Sequence, residues 1–92
     1  MLAHVLYMVI EHLRDTKAVY ERFAAKGRML PDGLRYLDSW VVDTAAMDTC
    51  YQLMETDDPA LFDVWFASWS DLGSIEVVPV ISSAEASARA AT

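Results

Sequence analysis

Two titratable side chains are candidates for acid–base chemistry. Glu11 and His12 follow directly on the apolar residues 5–10. A histidine suits proton transfer at neutral pH, and a carboxylate can also accept or return a proton. Because successive residues of a strand point to opposite faces of a sheet, Glu11 and His12 act separately. We predict these two residues, each on its own, as the catalytic candidates.

The aromatic residues are the second group with chemical potential. Ligand pockets are mainly apolar with a few placed polar groups, so aromatics from the strands and second helix can line a cavity between sheet and helices. A Tyr hydroxyl or Trp N–H there would orient a flat ligand. The ligand-binding candidates are Tyr7, Tyr36, Trp40, Tyr51, Glu55 and Trp65. The alternative, which we favour, is that the aromatics fill the core and anchor a dimer interface.

Signals for other chemistries are absent from the sequence. There is no P-loop, dinucleotide-binding glycine pattern, nucleophile elbow or zinc-protease motif. Cys50 is the single cysteine, and Thr49 and Tyr51 beside it supply neither base nor positive charge, so we expect a partly buried, unreactive thiol. His4 and His12 are too far apart to share a metal ion, at roughly 26 Å along a strand. We predict no metal site and no cofactor.

Charge and apolar content restrict the partners. Seven Lys and Arg stand against fourteen Asp and Glu among 92 residues, which argues against binding to nucleic acid or an anionic membrane. The chain is 54% hydrophobic, rich for a domain that buries only about 60% of its unfolded surface. This surplus predicts self-association. Residues 5–10 are too few to cross a membrane and no cleavage site follows them, so we expect a cytoplasmic protein without membrane partners.

The hydrophobic periodicity predicts four strands, at residues 5–11, 34–43, 50–55 and 74–81. The first is apolar at nearly every position, which is typical of a central strand covered on both faces. The short loop between the second and third predicts an antiparallel hairpin. Pro79 favours an edge position for the fourth strand, where a missing N–H is tolerated.

A helix is predicted between the first and second strands. Asp15 or Thr16 can cap its start, and the turn at residues 31–33 ends it. Gly27 falls inside this helical pattern on the buried face, where close approach of helix to sheet would explain a glycine.

A second helix is predicted between the third and fourth strands. Asp58 is a good N-cap, Pro59 fits the first helical position, and Gly73 ends the helix. Its apolar stripe comprises Leu61, Phe62, Trp65, Trp69 and Leu72. We predict one domain over residues 1–81 and an Ala- and Ser-rich tail over residues 82–92 that forms a weak helix or frays.

The order β-α-β-β-α-β predicts an α+β, ferredoxin-like fold with a four-stranded antiparallel sheet. Right-handed crossovers place both helices on one face of that sheet. The opposite face is apolar too and has no cover within the chain. We therefore predict a homodimer in which two such faces meet.

A polar rim is predicted at one end of the sheet. We expect the first and third strands to be parallel neighbours, so that Glu11, His12 and Glu55 share an edge with Arg35 and Tyr36 and with both helix N-termini. Such a cluster fits a small-molecule site. The alternative, which we favour, is a network of ion pairs and helix caps.

Six segments carry a resemblance to a known family: YMVIEH at 7–12, KGRMLP at 26–31, DSW at 38–40, QLMET at 52–56, WSDL at 69–72 and VPV at 78–80. They resemble short bacterial proteins of unknown function in the dimeric α/β-barrel superfamily, over residues 4–87. The resemblance implies a dimeric α/β barrel and transfers no catalytic residue. The superfamily includes cofactor-free monooxygenases acting on polycyclic aromatics, haem-degrading enzymes, lactone isomerases and ligand-sensing modules, so the fold does not select a chemistry.

We carry three functional hypotheses forward. The first is a homodimeric small-molecule-binding or structural module. The alternative is a cofactor-independent monooxygenase or isomerase for a small aromatic substrate, oriented by the aromatic candidates, with His12 or Glu11 moving a proton. A third is a partner-binding module that uses a sheet edge or the tail. The residues do not decide whether the protein is an enzyme.

Overall fold

A computed structural model describes residues 5–92 as four strands and three helices. The strands are β1 (Val5–Leu13), β2 (Arg35–Val41), β3 (Thr49–Thr56) and β4 (Gly73–Val80), and the helices are α1 (Thr16–Lys26), α2 (Leu61–Phe66) and α3 (Ser83–Ala90). The predicted ferredoxin-like α+β fold is confirmed. Among these described residues, no helix has the length and apolar character needed to cross a membrane.

The sheet has the strand order β2-β3-β1-β4, and every neighbouring pair is antiparallel. β4 lies at an edge, as Pro79 predicted. The expectation that β1 and β3 run parallel is wrong, because Leu6 pairs with Glu55 while Glu11 pairs with Cys50. The crossover through α1 makes β2 parallel to β1, and the β2–β3 hairpin then reverses the direction. The strands β1 and β3 are therefore antiparallel.

Alternation along the strands gives the sheet two different faces. Tyr7 and Val9 of β1 and Met54 of β3 point towards the helices, and we call this side the inner face. Together with residues from the helical side they form the buried core: Tyr7, Val9, Leu34, Met54, Phe62, Trp65 and Trp69. The residues between them point the other way, and we call that side the outer face.

Helix α1 begins at a well-formed cap and ends earlier than predicted. The Asp15 carboxylate accepts a hydrogen bond from the Ala18 N–H at 3.1 Å. Gly27 does not lie inside the helix. Its φ of 67° is in the left-handed region that glycine tolerates, and its N–H donates to the Phe23 carbonyl at 2.7 Å. The glycine therefore ends the helix, and the residues after it are free to take another path over the sheet.

Helix α2 is much shorter than the predicted one. The prediction that Asp58 caps the helix and Pro59 is its first residue is wrong, because Ala60 is the N-cap and has no side-chain cap bond; the Asp58 carboxylate instead accepts from the Ala60 N–H at 3.1 Å in the turn that precedes the helix. Regular α-helix stops at Phe66, and residues 67–72 continue as tight turns in which, for example, the Trp69 N–H donates to the Phe66 carbonyl at 2.9 Å. These turns keep Trp69 on the same side of the chain as Trp65, so the apolar stripe persists without a continuous helix.

The tight turns at residues 67–72 are held by Arg22 of α1. Its guanidinium donates to the Ser68 carbonyl at 2.9 Å and to both carboxylate oxygens of Asp71 at 2.8 Å. The hydrogen bonds from Arg22 lower the pKa of Asp71 to about 2. A side chain from α1 therefore supplies donors that a longer α2 would have supplied from its own backbone.

Of the two states predicted for the tail at residues 82–92, a weak helix or a frayed end, the structure shows a helix, α3. The Ser82 hydroxyl accepts from the Glu85 N–H at 3.0 Å, and Glu85 pairs with Arg89 one turn later. Every residue from 81 to 92 is exposed. The helix is thus held by its own cap and ion pair rather than by packing on the domain.

Gly73 provides a test of the β1–β4 pairing. A Cβ atom at this position would lie 2.4 Å from the backbone carbonyl oxygen of His12, too close without a shift of one strand. We predict that Gly73→Ala lowers the free energy of unfolding by about 1–3 kcal/mol in urea denaturation. Ser74→Ala, at the next and exposed position, should change it by less than about 0.5 kcal/mol. Equal effects of the two substitutions would contradict the tight pairing.

Candidate functional site

A cavity of about 140 Å³ lies between the inner face of the sheet and helix α1. Its lining comes from three strands, from α1 and α2 and from the segments that follow these two helices: Glu11, Leu13, Val19, Tyr20, Phe23, Arg28, Ser39, Val41, Cys50, Gln52, Trp65 and Trp69. Tyr20, Phe23 and Val41 are also exposed, so their side of the cavity is open to solvent. The walls are mostly aromatic and aliphatic, and the polar groups lie on the sheet apart from Arg28, which follows α1.

Glu11 is the acidic group of this cavity. It lies on the inner face near the end of β1, and the Gln52 side-chain amide donates to its carboxylate at 2.5 Å. Burial raises the pKa of Glu11, against the opposing effect of hydrogen bonds from Gln52 and Cys50 and of the positive charge on Arg28. The side chain is therefore a fixed hydrogen-bond acceptor that holds a proton more readily than an exposed glutamate.

Arg28 completes a chain of polar side chains that leads to Glu11. Its Nε donates to the side-chain oxygen of Gln52 at 3.3 Å. Since the Gln52 oxygen faces Arg28, its NH₂ group faces Glu11, and the orientation of the amide is fixed. The Arg28 guanidinium also stacks over Tyr36, 3.5 Å from the ring centroid, and lies 5.0 Å from the centroid of Phe23. These contacts hold the cation at the cavity wall.

The backbone of Arg28 is anchored separately from its side chain. The indole N–H groups of Trp65 and Trp69 both donate to the Arg28 carbonyl, at 2.9 and 3.1 Å. The next residue, Met29, has a φ of 58°. The left-handed positions at Gly27 and Met29 turn the chain away from the α1 axis. This turn places Arg28 between the tryptophans and the sheet.

Cys50 lies beside Glu11, since the two residues are paired across β3 and β1. Burial and the neighbouring Glu11 carboxylate raise the pKa of the Cys50 thiol to about 11. The thiol is accordingly protonated at neutral pH and donates a hydrogen bond to Glu11. It acts as part of the polar surface of the cavity rather than as a nucleophile.

Comparison with known proteins places this chain in a family. The family described as a domain of unknown function, DUF3303, matches residues 5–92. The chain belongs to the DUF3303 family. This result confirms the predicted resemblance to a family of unknown function. No curated protein and no solved structure matches the chain.

Three of the sequence-predicted site residues of this DUF3303 chain lie in or beside the cavity. Glu11 and Trp65 line it directly. Tyr36 lies under the Arg28 guanidinium and shares a hydrogen bond of 2.6 Å with the hydroxyl of Ser39, which lines the cavity. Tyr7 belongs instead to the core, where its ring meets Phe62 edge-on with centroids 5.1 Å apart. The cavity therefore brings together part of the predicted set.

The remaining predicted residues of the DUF3303 chain lie on the outer face. His12 contacts Glu76 at 3.1 Å, and Glu55 pairs with Arg35 at 2.7 Å. Trp40 and Tyr51 face each other across β2 and β3, and both are exposed. Their roles in catalysis or ligand binding stay predictions, and any ligand they share would lie on the opposite side of the sheet from the cavity.

The predicted polar rim does not exist as one cluster. Because β1 and β3 are antiparallel, Glu11 and Glu55 lie five residues apart along the sheet, roughly 17 Å, and on different faces. The starts of α1 and α2 follow the ends of β1 and β3, so they too lie at opposite ends. Of the residues predicted to form this rim, only Arg35 and Glu55 contact each other as an ion pair.

Sequence reasoning missed Gln52 and Arg28 and gave Cys50 no role in the site. The position of Gln52 could have been predicted, because alternation along the strand places it on the same face as Cys50 and Met54. A buried amide on that face requires hydrogen-bond partners. Arg28 carried none, since its position depends on distant tryptophans. No group of three or more His, Cys, Asp or Glu within residues 5–92 is arranged to hold a metal ion. His4, which we compared with His12, lies outside the described residues.

The contact between Glu11 and Cys50 can be tested by alkylation of the native DUF3303 chain with iodoacetamide across pH. We predict a midpoint for the reaction rate at about pH 11, the pKa of Cys50. Glu11→Gln should lower this midpoint, because it removes a neighbouring negative charge that opposes formation of the thiolate. Glu21→Gln, on the exposed surface of α1, should leave it unchanged. The same midpoint in Glu11→Gln and the unaltered chain would rule out the contact.

Proposed function

We propose that this chain is a homodimeric module that binds a small molecule in the cavity between its sheet and α1. The observation that carries the proposal is the composition of the cavity, in which aromatic walls surround an ordered polar chain from Arg28 through Gln52 to Glu11. Pockets for small ligands have this combination of apolar walls and a few fixed polar groups.

The position of α1 supports a ligand over plain core packing. A helix that covers a sheet normally buries an apolar stripe, yet α1 has no buried residue. Tyr20 and Phe23 are about two-fifths exposed, at 42% and 39%, although both line the cavity. Phe62 and Trp65 fill the core beside α2, and the larger space lies next to α1. A bound molecule would cover the apolar surface that α1 leaves open.

Binding can be measured by tryptophan fluorescence, because Trp65 and Trp69 line the cavity and Trp40 does not. In a Trp40→Phe background, we predict a saturable change in emission with members of a library of single-ring compounds. Native mass spectrometry of freshly purified protein should show a bound small molecule.

Two substitutions separate cavity binding from surface effects. Val19→Phe adds volume inside the cavity and should weaken binding at least about tenfold. Val64→Phe adds the same ring to an exposed position of α2 and should leave binding unchanged. Absence of a saturable signal for every compound, together with higher stability of Val19→Phe, would contradict the proposal, since it would mean that the space is a packing defect.

The homodimer is the second part of the proposal, and the outer face supports it. Its apolar side chains from all four strands are Leu6, Met8, Ile10, Trp40, Tyr51, Leu53, Val78 and Val80. The ion pair Arg35–Glu55, the hydrogen-bonded pair His12–Glu76 and the carboxylate of Asp38 lie at its margins. An apolar centre with a polar rim is the anatomy of a protein interface.

A second copy of the chain fits this face better than a charged partner. Arg35 and Glu55 at its margin are already paired within the chain, and the centre of the face is apolar. Two sheets with apolar faces pack directly against each other at about 10 Å, and the dimeric α/β barrels that the sequence resembles pair in this way. Monomeric proteins rarely leave an apolar patch of this kind in water.

Light scattering after size-exclusion chromatography tests the dimer. We predict a dimer for the unaltered chain and a dissociation constant at least about 30-fold higher for Trp40→Glu, which places a charge at a half-exposed aromatic of the outer face. Val64→Glu places the same charge on α2 and should leave the dimer intact. A monomer over the whole concentration range, or equal dissociation of both variants, would overturn this part of the proposal.

A second candidate function is proton transfer on the bound molecule, as in a cofactor-independent monooxygenase or isomerase. It is favoured by the raised pKa of Glu11, which suits a carboxylate that accepts and returns a proton. Incubation of the molecule found by the binding experiment, in air and under nitrogen, distinguishes the candidates. Conversion in both atmospheres indicates an isomerase, conversion in air alone a monooxygenase, and no conversion binding only.

A further inference from the structure

We infer that the ligand of the cavity is a neutral, single-ring molecule that donates a hydrogen bond to Glu11, as a phenol does. The inference rests on the proposed function and deepens it, because it names the class of molecule. Three properties of the cavity carry it: its size, the hydrogen-bonding character of its acidic group, and its balance of charge.

The size of the cavity selects one ring. Its volume of about 140 Å³ is close to that of the apolar cavities of roughly 150 Å³ that accept a benzene molecule. A fused two-ring ligand would have to extend past Tyr20 and Phe23 into solvent. Rings on several sides, from Phe23, Trp65 and Trp69, offer edge and face contacts to a flat molecule.

The Glu11 carboxylate favours a ligand that carries a hydrogen-bond donor. An ionised carboxylate accepts hydrogen bonds at about four lone-pair positions and donates none. Gln52 and Cys50 donate to it from the protein, which leaves acceptor capacity on a carboxylate that lines the cavity. Because the Gln52 amide is fixed by Arg28, it cannot rotate to offer an acceptor in place of its NH₂ group. A ligand that meets the ionised Glu11 carboxylate must therefore bring its own O–H or N–H.

The charges at the cavity favour a neutral ligand. Glu11 and Arg28 both line it and are joined through Gln52, so one negative and one positive group offset each other. An anionic ring would meet the Glu11 carboxylate, and a cationic ring would meet the Arg28 guanidinium. A neutral ring with one hydrogen-bond donor avoids repulsion by either charged group and still donates to the Glu11 carboxylate.

Phenol and anisole form the matched pair that tests the inference, because they share a ring and only phenol has a donor. By isothermal titration calorimetry of the unaltered chain, we expect phenol to bind at least about tenfold more tightly than anisole, as for a hydrogen bond to a charged group. Benzoate and benzylammonium should both bind more weakly than phenol. Tighter binding of either ion would overturn the neutral class.

The variants assign the selectivity to Glu11. Glu11→Gln, whose uncharged amide oxygen is a weaker acceptor than the carboxylate, should lower the ratio of phenol to anisole affinity, whereas Glu21→Gln should preserve it. If Glu11→Gln does not fold, the comparison of the two compounds on the unaltered chain still decides.

The outcomes also separate this inference from the proposed function. Equal binding of phenol and anisole would overturn the inference and leave cavity binding in place. Binding of neither compound, nor of any other single-ring molecule, would overturn both.

Discussion

The two-residue repeat of the central strand β1 is the constraint on which both surfaces of the molecule depend. β1 is paired on both sides, so it cannot rotate or slip without breaking two ladders of hydrogen bonds. Tyr7 and Val9 consequently lie in the core, and Glu11 follows them onto the inner face at the cavity. The neighbouring His12 is forced onto the outer face. One strand thus supplies the acid of the proposed ligand site and part of the proposed dimer interface, and a one-residue shift would exchange them.

A single backbone carbonyl then connects the remaining parts of the site. The Arg28 carbonyl accepts from both Trp65 and Trp69, which belong to α2 and to the turns after it. This shared acceptor ties the segment after α1 to the second half of the chain. It also keeps Trp69 in place although regular helix has ended, and it positions the Arg28 side chain over Tyr36. The polar chain to Glu11 therefore depends on aromatic residues that donate hydrogen bonds as well as fill space.

The sequence predicted those features that depend on local chemistry. The hairpin, the Asp15 cap of α1 and the edge position of β4 follow from short-range rules, and all are observed. Gly27 was misplaced because a helical pattern of apolar residues continues past it, while its left-handed φ is a property of the folded chain. The direction of β3 relative to β1 follows from the order of the connections, and the prediction that the two strands are parallel was wrong. Arg28 could not be predicted, since its place is set by side chains 37 and 41 residues away.

Glu11 is the residue whose presence folding explains least. Because folding raises the pKa of Glu11, the folded chain binds this proton more tightly than the unfolded chain does. The stability that this provides is complete below the unfolded pKa and is lost as the pH rises through the folded pKa. At neutral pH the buried carboxylate thus works against stability, and the donors on Gln52 and Cys50 offset only part of the effect of burial. An apolar residue on this strand would continue the core begun by Tyr7 and Val9 without that penalty. Residues that reduce stability in this way are typical of binding and catalytic sites, where the local rules of folding are set aside for function.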